Sequence, residues 1–269
     1  GYQACGQAIL GADFLGAALA STLFPDLVSR ILPWGVLPDR AEALETAWEQ
    51  AWERALSAGD ENARLLAADF FAAWETSGAP ESALPALFLN GTSVATGKRI
   101  VTSNLDLTGT LTDAFDFFEH WPMRIRLSTA ANNSARFPIV EPAGTLRREP
   151  TAGDPNTLDR IVDGGYFENF GAATALDILE DLVRNSNIEP TQLIVIQISS
   201  DPDYGGVDRG EGTLRPASPG SFAGELRSPL KALLNTRTAR GVLAAQRLRD
   251  WTVANGGTFV EFRLIGSAD

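Results

Sequence analysis

The spacing of apolar positions divides the chain into a helical segment, residues 1–80, and an α/β remainder, residues 81–269. Residues 8–22, ILGADFLGAALASTL, are apolar and Ala-rich and predict a buried helix. Pro25, Pro33 and Pro38 break the next stretch into short helical turns. Over residues 41–58, Leu44, Trp48, Trp52 and Leu56 recur at helical spacing, with Glu and Arg on the opposite face. Gly59-Asp60 is the expected stop. A second helix is predicted over ENARLLAADFFAAWET, closing at Ser77-Gly78.

From residue 84 the pattern changes. LPALFLN at 84–90 suits a central strand, Gly91 to Gly97 a turn, and RIVTSN at 99–104 a neighbouring strand. Residues 122–136 predict a partly buried helix ended by Phe137-Pro138, and the Gly-, Pro- and charge-rich stretch 142–158 predicts a loop. DRIVDGG at 159–165 reads as a strand entering a tight turn, and FGAATALDILEDLVRN as the helix after it. TQLIVIQISS at 191–200 is apolar on both faces, as an interior parallel strand is. A polar loop over 201–227, a long helix over 228–254 and a final alternating strand, TFVEFRLI, complete the pattern. The alternation of strands and helices from residue 159 onward predicts an α/β fold.

Composition narrows the function classes. Hydrophobic residues make up 44% and charged residues 21% of 269, enough apolar material for a real core. The net charge of -12 repels phosphate backbones, so no nucleic-acid partner is expected. An anionic bilayer is repelled on average too, although a local apolar surface still permits docking at a membrane. The single cysteine, Cys5, rules out an intrachain disulfide and a cysteine-rich metal site. The compartment stays open. No G-x-G-x-x-G follows a strand, which disfavours a dinucleotide-binding protein. Asp201, Asp203 and Asp208 lack the oxygen ligand and glutamate of a calcium loop, because Gly205 and Gly212 occupy those places. No metal or organic cofactor is expected.

The segment with chemical content is VDGGYFENFGAATALDIL, residues 162–179. It places a carboxylate, Asp163, at the end of a strand, and Gly164 and Gly165 in the turn that follows. In open α/β sheets the C-terminal edge of the strands is where sites form, and a carboxylate there can accept a hydroxyl proton. In the same stretch Asn169 reads as a helix N-cap and Glu168 as a solvated side chain.

The run Asp163-Gly-Gly-Tyr-Phe-Glu-Asn-Phe-Gly resembles the DG[GA]-x-x-x-N motif of the patatin-like phospholipases, in bacterial form. PALFLNGTSVATGKRIVTS at 85–103 resembles that family's strand–turn–strand segment. RLSTAANNSARFPIVEPAGTL at 126–146 resembles its S-x-A-A-x-x-x-P-x-x-x-P helix and loop, and the three segments follow the family's order. The resemblance covers roughly residues 80–200; residues 1–80 are similar to a helical insertion of some bacterial members. It implies a layered α/β/α fold with a central, mostly parallel sheet whose N-terminal part is missing. It also implies a lipid or other acyl-ester hydrolase in which Asp163 is half of a Ser–Asp dyad.

The family nucleophile lies in a G-x-S-x-G elbow after a Gly-rich oxyanion loop. Gly91-Thr92-Ser93-Val94-Ala95 ends in alanine and sits in a strand-to-strand turn, and Gly220-Ser221-Phe222-Ala223-Gly224 places its serine one position early. The resemblance therefore implies a nucleophilic serine N-terminal to Gly1, in the remainder of the same polypeptide. This chain alone is then expected to be inactive. The rival expectation is a catalytically inactive patatin-like module with a binding or regulatory role. His120, the single histidine, precedes Asp163, reads as a structural or surface residue, and leaves a dyad rather than a triad.

Overall fold

The computed structural model describes residues 2–14, 16, 20, 40–56, 59–75, 84–137, 141–150, 158–186, 188–199 and 222–263. The proline-broken turns, the Ser77-Gly78 stop, the aspartates at 201–208 and most of the expected loop 201–227 lie outside the described residues. The chain forms two compact units. One is Gly1–Thr108 with Asp113–Gly164, and the other is Gly109–Thr112 with Gly165–Asp269.

The first unit contains helices α1 (Tyr2–Leu10), α2 (Arg40–Ala55), α3 (Ala72–Glu75), α4 (Phe117–His120) and α5 (Leu127–Ala135). Its strands are β1 (Phe88–Ser93), β2 (Arg99–Ser103), β3 (Ala114–Asp116), β4 (Gly144–Arg147) and β5 (Leu158–Asp163), in the spatial order β3-β2-β1-β5-β4. The expected central strand is indeed the middle one. The sheet, however, is not mostly parallel. β1–β2, β1–β5 and β4–β5 are antiparallel, and β2–β3 is the parallel pair. The reason is local: β1 and β2 are separated only by residues 94–98, too few for a crossover, so they form a hairpin. The core behind the sheet gathers Ile100, Phe117, Trp121, Leu146 and Ile161, with Phe115, Phe118, Met123 and Ile125 around them.

Two predicted helices are shorter than their periodicity suggests. Residues 61–75 form a 3-10 turn, Glu61–Ala67, then an extended Ala68, and only then α3. Asp69 sits at the break. Its backbone bridges Arg126, its carboxylate accepts a hydrogen bond from the Phe71 amide at 3.2 Å, and it pairs with Arg124 at 2.9 Å. Local side-chain hydrogen bonds and the bridge outcompete the helix there. The bridge also holds Arg126 extended, so α5 starts at Leu127 rather than near Pro122. Within the expected loop 142–158, β4 is an added strand. It alternates buried Gly144 and Leu146 with exposed Thr145 and Arg147.

The second unit contains α6 (Ala172–Asn185), β6 (Ile194–Ser199), α7 (Phe222–Ala254) and β7 (Thr258–Arg263). β6 and β7 pair in parallel from Ile194↔Thr258 to Ser199↔Arg263, with α7 in the connection. One face of the pair packs Val195 and Phe259 against Ala172, Ala245, Leu248, Leu176 and Leu179. The parallel pairing agrees with the sequence, but burial on both faces does not. Ile194, Ile196 and Ile198 are 69%, 58% and 81% exposed.

Candidate functional site

Asp163 ends β5, and its main chain is held on both sides. Its N–H donates to the Arg136 carbonyl at 3.0 Å, and its carbonyl accepts from Thr92 Oγ1 at 3.0 Å. Asp163 stands opposite Gly91 of β1. The chain then enters the 3-10 turn Gly164–Tyr166. A Cβ on Gly164 would stand 2.8 Å from the Asn90 carbonyl carbon and nearer still to its oxygen, so only glycine lets the two backbones approach this closely. The same Asn90 oxygen accepts a hydrogen bond from Ser134 Oγ at 2.7 Å. The turn beside Asp163 is therefore fixed by β1 on one side and the end of α5 on the other. β1 runs antiparallel to β5, so Asp163 ends its own strand without marking a shared C-terminal edge, as a parallel sheet would provide.

The sequence reading missed a buried polar cluster next to this turn. Glu45 of α2 is 3% exposed. Its Oε2 accepts from Thr129 Oγ1 at 2.7 Å and from Arg126 at 3.0 Å. Its Oε1 accepts from Asn132 Nδ2 at 3.0 Å and from Arg136 at 3.4 Å. Arg136 also donates through Nε to Asn133 Oδ1 at 2.9 Å and through a terminal nitrogen to the Pro142 carbonyl at 3.1 Å. One helix turn from Glu45, Glu49 accepts from Ser128 Oγ at 2.5 Å and pairs with Arg126 at 2.9 Å. The face of α2 that the Trp48/Trp52 spacing assigned to solvent thus carries buried charge. Glu45 is more buried than either tryptophan, which are both half-buried. The available signal was Arg126, Thr129, Asn132 and Arg136 along one stretch of α5, polar groups that need a partner once buried.

Two serines lie against carboxylates, and both are closed to solvent. Ser93 is 1% exposed; its Oγ donates to Asp159 Oδ2 at 2.5 Å and accepts from the Thr96 amide and hydroxyl. Asp159 also accepts from the Ala95 and Arg160 amides, so the pair clasps the β1–β2 turn. Ser128, fully buried, is the Glu49 partner described above. His120 packs on Phe115 and Trp121, with ring centroids 4.6 and 5.6 Å away, in the hydrophobic cluster. Its Nδ1 is buried, with no hydrogen-bond partner among the described residues.

After the turn, Glu168 and Asn169 exchange their expected roles. Glu168 is 5% exposed and accepts from the Phe170 amide at 2.8 Å and the Ala173 amide at 3.3 Å. It thereby satisfies free amides at the start of α6, where a carboxylate is also favoured by the helix dipole. Asn169 is exposed, and Gly171, at φ 66°, occupies the cap position. The Glu168 side chain reaches forward past Asn169 to these amides.

A cavity of about 360 Å³ lies elsewhere in the first unit, with Phe71, Phe118, Met123 and Ile125 as its apolar lining and Asp69 and Arg124 at its side. The Arg124 hydrogen bond holds the Asp69 carboxyl below the usual carboxylate range. Asp163 is not among the residues that line it. Among the described residues no cluster of His, Cys, Asp and Glu could hold a metal ion. No helix among them is long and apolar enough to cross a membrane. Comparison with family models, with curated proteins and with solved structures finds no significant match.

Proposed function

We propose that this chain carries the base and much of the scaffold of a patatin-like serine acyl hydrolase acting on lipid or other acyl esters. Asp163 is the base of a Ser–Asp dyad, and Gly164 and Gly165 form the turn that holds it. The nucleophilic serine lies outside residues 1–269, in the preceding part of the same polypeptide. In this reading residues 1–80 are the helical insertion and residues 81–269 the C-terminal part of one α/β/α layered domain. The observation that carries the proposal is the strand end itself. A carboxylate-bearing residue has both main-chain groups hydrogen-bonded, and the glycine after it has no room for a side chain. Such rigidity is what a general base needs. The buried, fully engaged hydroxyls of Ser93 and Ser128 support a nucleophile from elsewhere.

The chemistry follows from those roles. The serine hydroxyl attacks the ester carbonyl while its proton passes to Asp163; collapse of the tetrahedral intermediate, with that proton passing from Asp163 to the leaving alkoxide, releases the alcohol and leaves an acyl-enzyme. Water then attacks the acyl group while Asp163, again a carboxylate, takes its proton, and returning that proton to the serine oxygen releases the fatty acid. Backbone N–H groups of the Gly-rich loop that precedes the elbow stabilise the oxyanion. The test is hydrolysis of a soluble ester such as p-nitrophenyl butyrate by the polypeptide extended through its upstream sequence. Asp163→Asn should lower kcat by ~10²- to 10⁴-fold with the protein still folded. An Asp163→Asn protein as active as wild type would remove Asp163 from the mechanism.

A further inference from the structure

We propose that Arg136 is a positioning residue for Asp163, itself anchored by the buried carboxylate of Glu45. Its catalytic meaning rests on the acyl-hydrolase reading of Asp163 given above; the clamp itself rests on geometry alone. Arg136 leaves α5 at φ -65°, ψ 83°, so its carbonyl no longer continues the helix and instead accepts the Asp163 amide at 3.0 Å. The orientation of that carbonyl depends on where the side chain is tied. The Arg136 side chain, 9% exposed, is held through its three nitrogens by Glu45, by Asn133 Oδ1 and by the Pro142 carbonyl. Glu45 is in turn fixed by Arg126, Thr129 and Asn132. A chain of polar contacts, with the 3.4 Å Glu45–Arg136 pair as its longest link, therefore runs from α2 through Arg136 to the amide of the residue that carries the carboxylate.

Stability alone gives no reason for such a cluster, because a buried ion pair is often no more stabilising than apolar groups of the same volume. Its distinctive property is directional. Each hydrogen bond fixes an angle as well as a distance, and apolar packing would let the end of α5 slide against β5. Displacement of a catalytic group by about 1 Å is enough to cost on the order of 10²-fold in rate. Ser134, two residues before Arg136, reinforces the arrangement by holding the Asn90 carbonyl that lies against Gly164.

The experiment compares wild type, Glu45→Gln, Arg136→Met and a stability control, Ile100→Val, in the polypeptide extended through its upstream sequence. Amide hydrogen exchange is followed at Asp163 and, as an internal reference, at Ile100 to Thr102 of β2. Ester hydrolysis is measured in parallel. Glu45→Gln keeps the shape and an acceptor oxygen while Glu49 still pairs with Arg126, so it is the milder variant for folding, and each variant is compared at a temperature where circular dichroism shows it folded. The expected result is exchange at Asp163 faster by ~10-fold or more with β2 unchanged, and kcat lower by ~10-fold or more with KM within about twofold. Ile100→Val leaves kcat unchanged. Exchange at Asp163 that stays at the wild-type rate, or rises equally in β2, overturns the positioning role. Wild-type protein without esterase activity overturns the hydrolase reading and the catalytic meaning of the clamp, while the exchange data still decide whether the clamp exists.

Discussion

Gly164 and Asp163 are held by different forces, and substitutions should separate them. Gly164→Ala forces a Cβ into the Asn90 backbone, which is not a flexible side-chain tip and cannot swing aside. A cost of about 1–3 kcal/mol is expected, as for other overpacked sites, read from urea denaturation. Asp163→Asn leaves the residue's main-chain contacts in place, its N–H to Arg136 and its carbonyl to Thr92, so its melting temperature isolates what the carboxylate itself contributes. A melting temperature for Asp163→Asn far below that of wild type would mean that the carboxylate serves stability first. These two residues were legible in the sequence because their chemistry is local: an acid, then glycines, in a turn. Glu168 was not. Its burial depends on its side chain reaching forward to the Phe170 and Ala173 amides, and a one-letter pattern does not show that.

At the scale of elements, α2 shows how periodicity misleads. Its apolar spacing correctly predicts a helix, but the partner decides which face is buried, and that partner is polar. Glu45 meets two arginines, a threonine and an asparagine of α5 and its flanks, residues distant in sequence. Removing the carboxylate while Arg136 stays buried leaves an uncompensated charge, so Glu45→Ala should cost about 3–5 kcal/mol by chemical denaturation. The β1–β2 hairpin and β5 were readable from alternation and turn chemistry. β4 was not, because its buried positions, Gly144 and Leu146, offer a single apolar side chain within a Gly- and Pro-rich stretch. The break at Asp69 carries a pH prediction. The Arg124 hydrogen bond lowers the folded pKa of Asp69 below its usual 3.8. A lowered carboxylate pKa adds stability that is fully present above the unfolded value and is lost as pH falls through the folded one. The difference in melting temperature between wild type and Asp69→Asn should therefore be constant above about pH 5 and shrink below about pH 4. A difference that holds unchanged at the lowest pH would show that the ion pair contributes nothing.

Across the whole molecule, the two units differ in how well they cover their sheets. β6 and β7 bury one face against α6 and α7 and expose Ile194, Ile196, Ile198 and Phe262 on the other. Parallel strands are usually covered on both faces, and an exposed apolar patch favours aggregation. Replacing Ile196 and Ile198 by threonine should reduce light scattering at high protein concentration while leaving the far-UV circular dichroism unchanged. The strand-and-helix content of this unit was legible because β6 is the most apolar run and α7 a long helix. The predominantly antiparallel sheet of the other unit was not. The expectation of a mostly parallel sheet came from a family resemblance, whereas the residue spacing already required a hairpin between β1 and β2. Asp163 is proposed as the base for a serine outside these 269 residues. That role is tested most directly by fluorophosphonate labelling with intact-mass and peptide mapping, on this chain and on the same chain extended upstream. The expected result is no adduct on residues 1–269 alone, one adduct on an upstream serine in the extended protein, and loss of that adduct in Asp163→Asn. An adduct on a serine within residues 1–269, or undiminished labelling of Asp163→Asn, would contradict it.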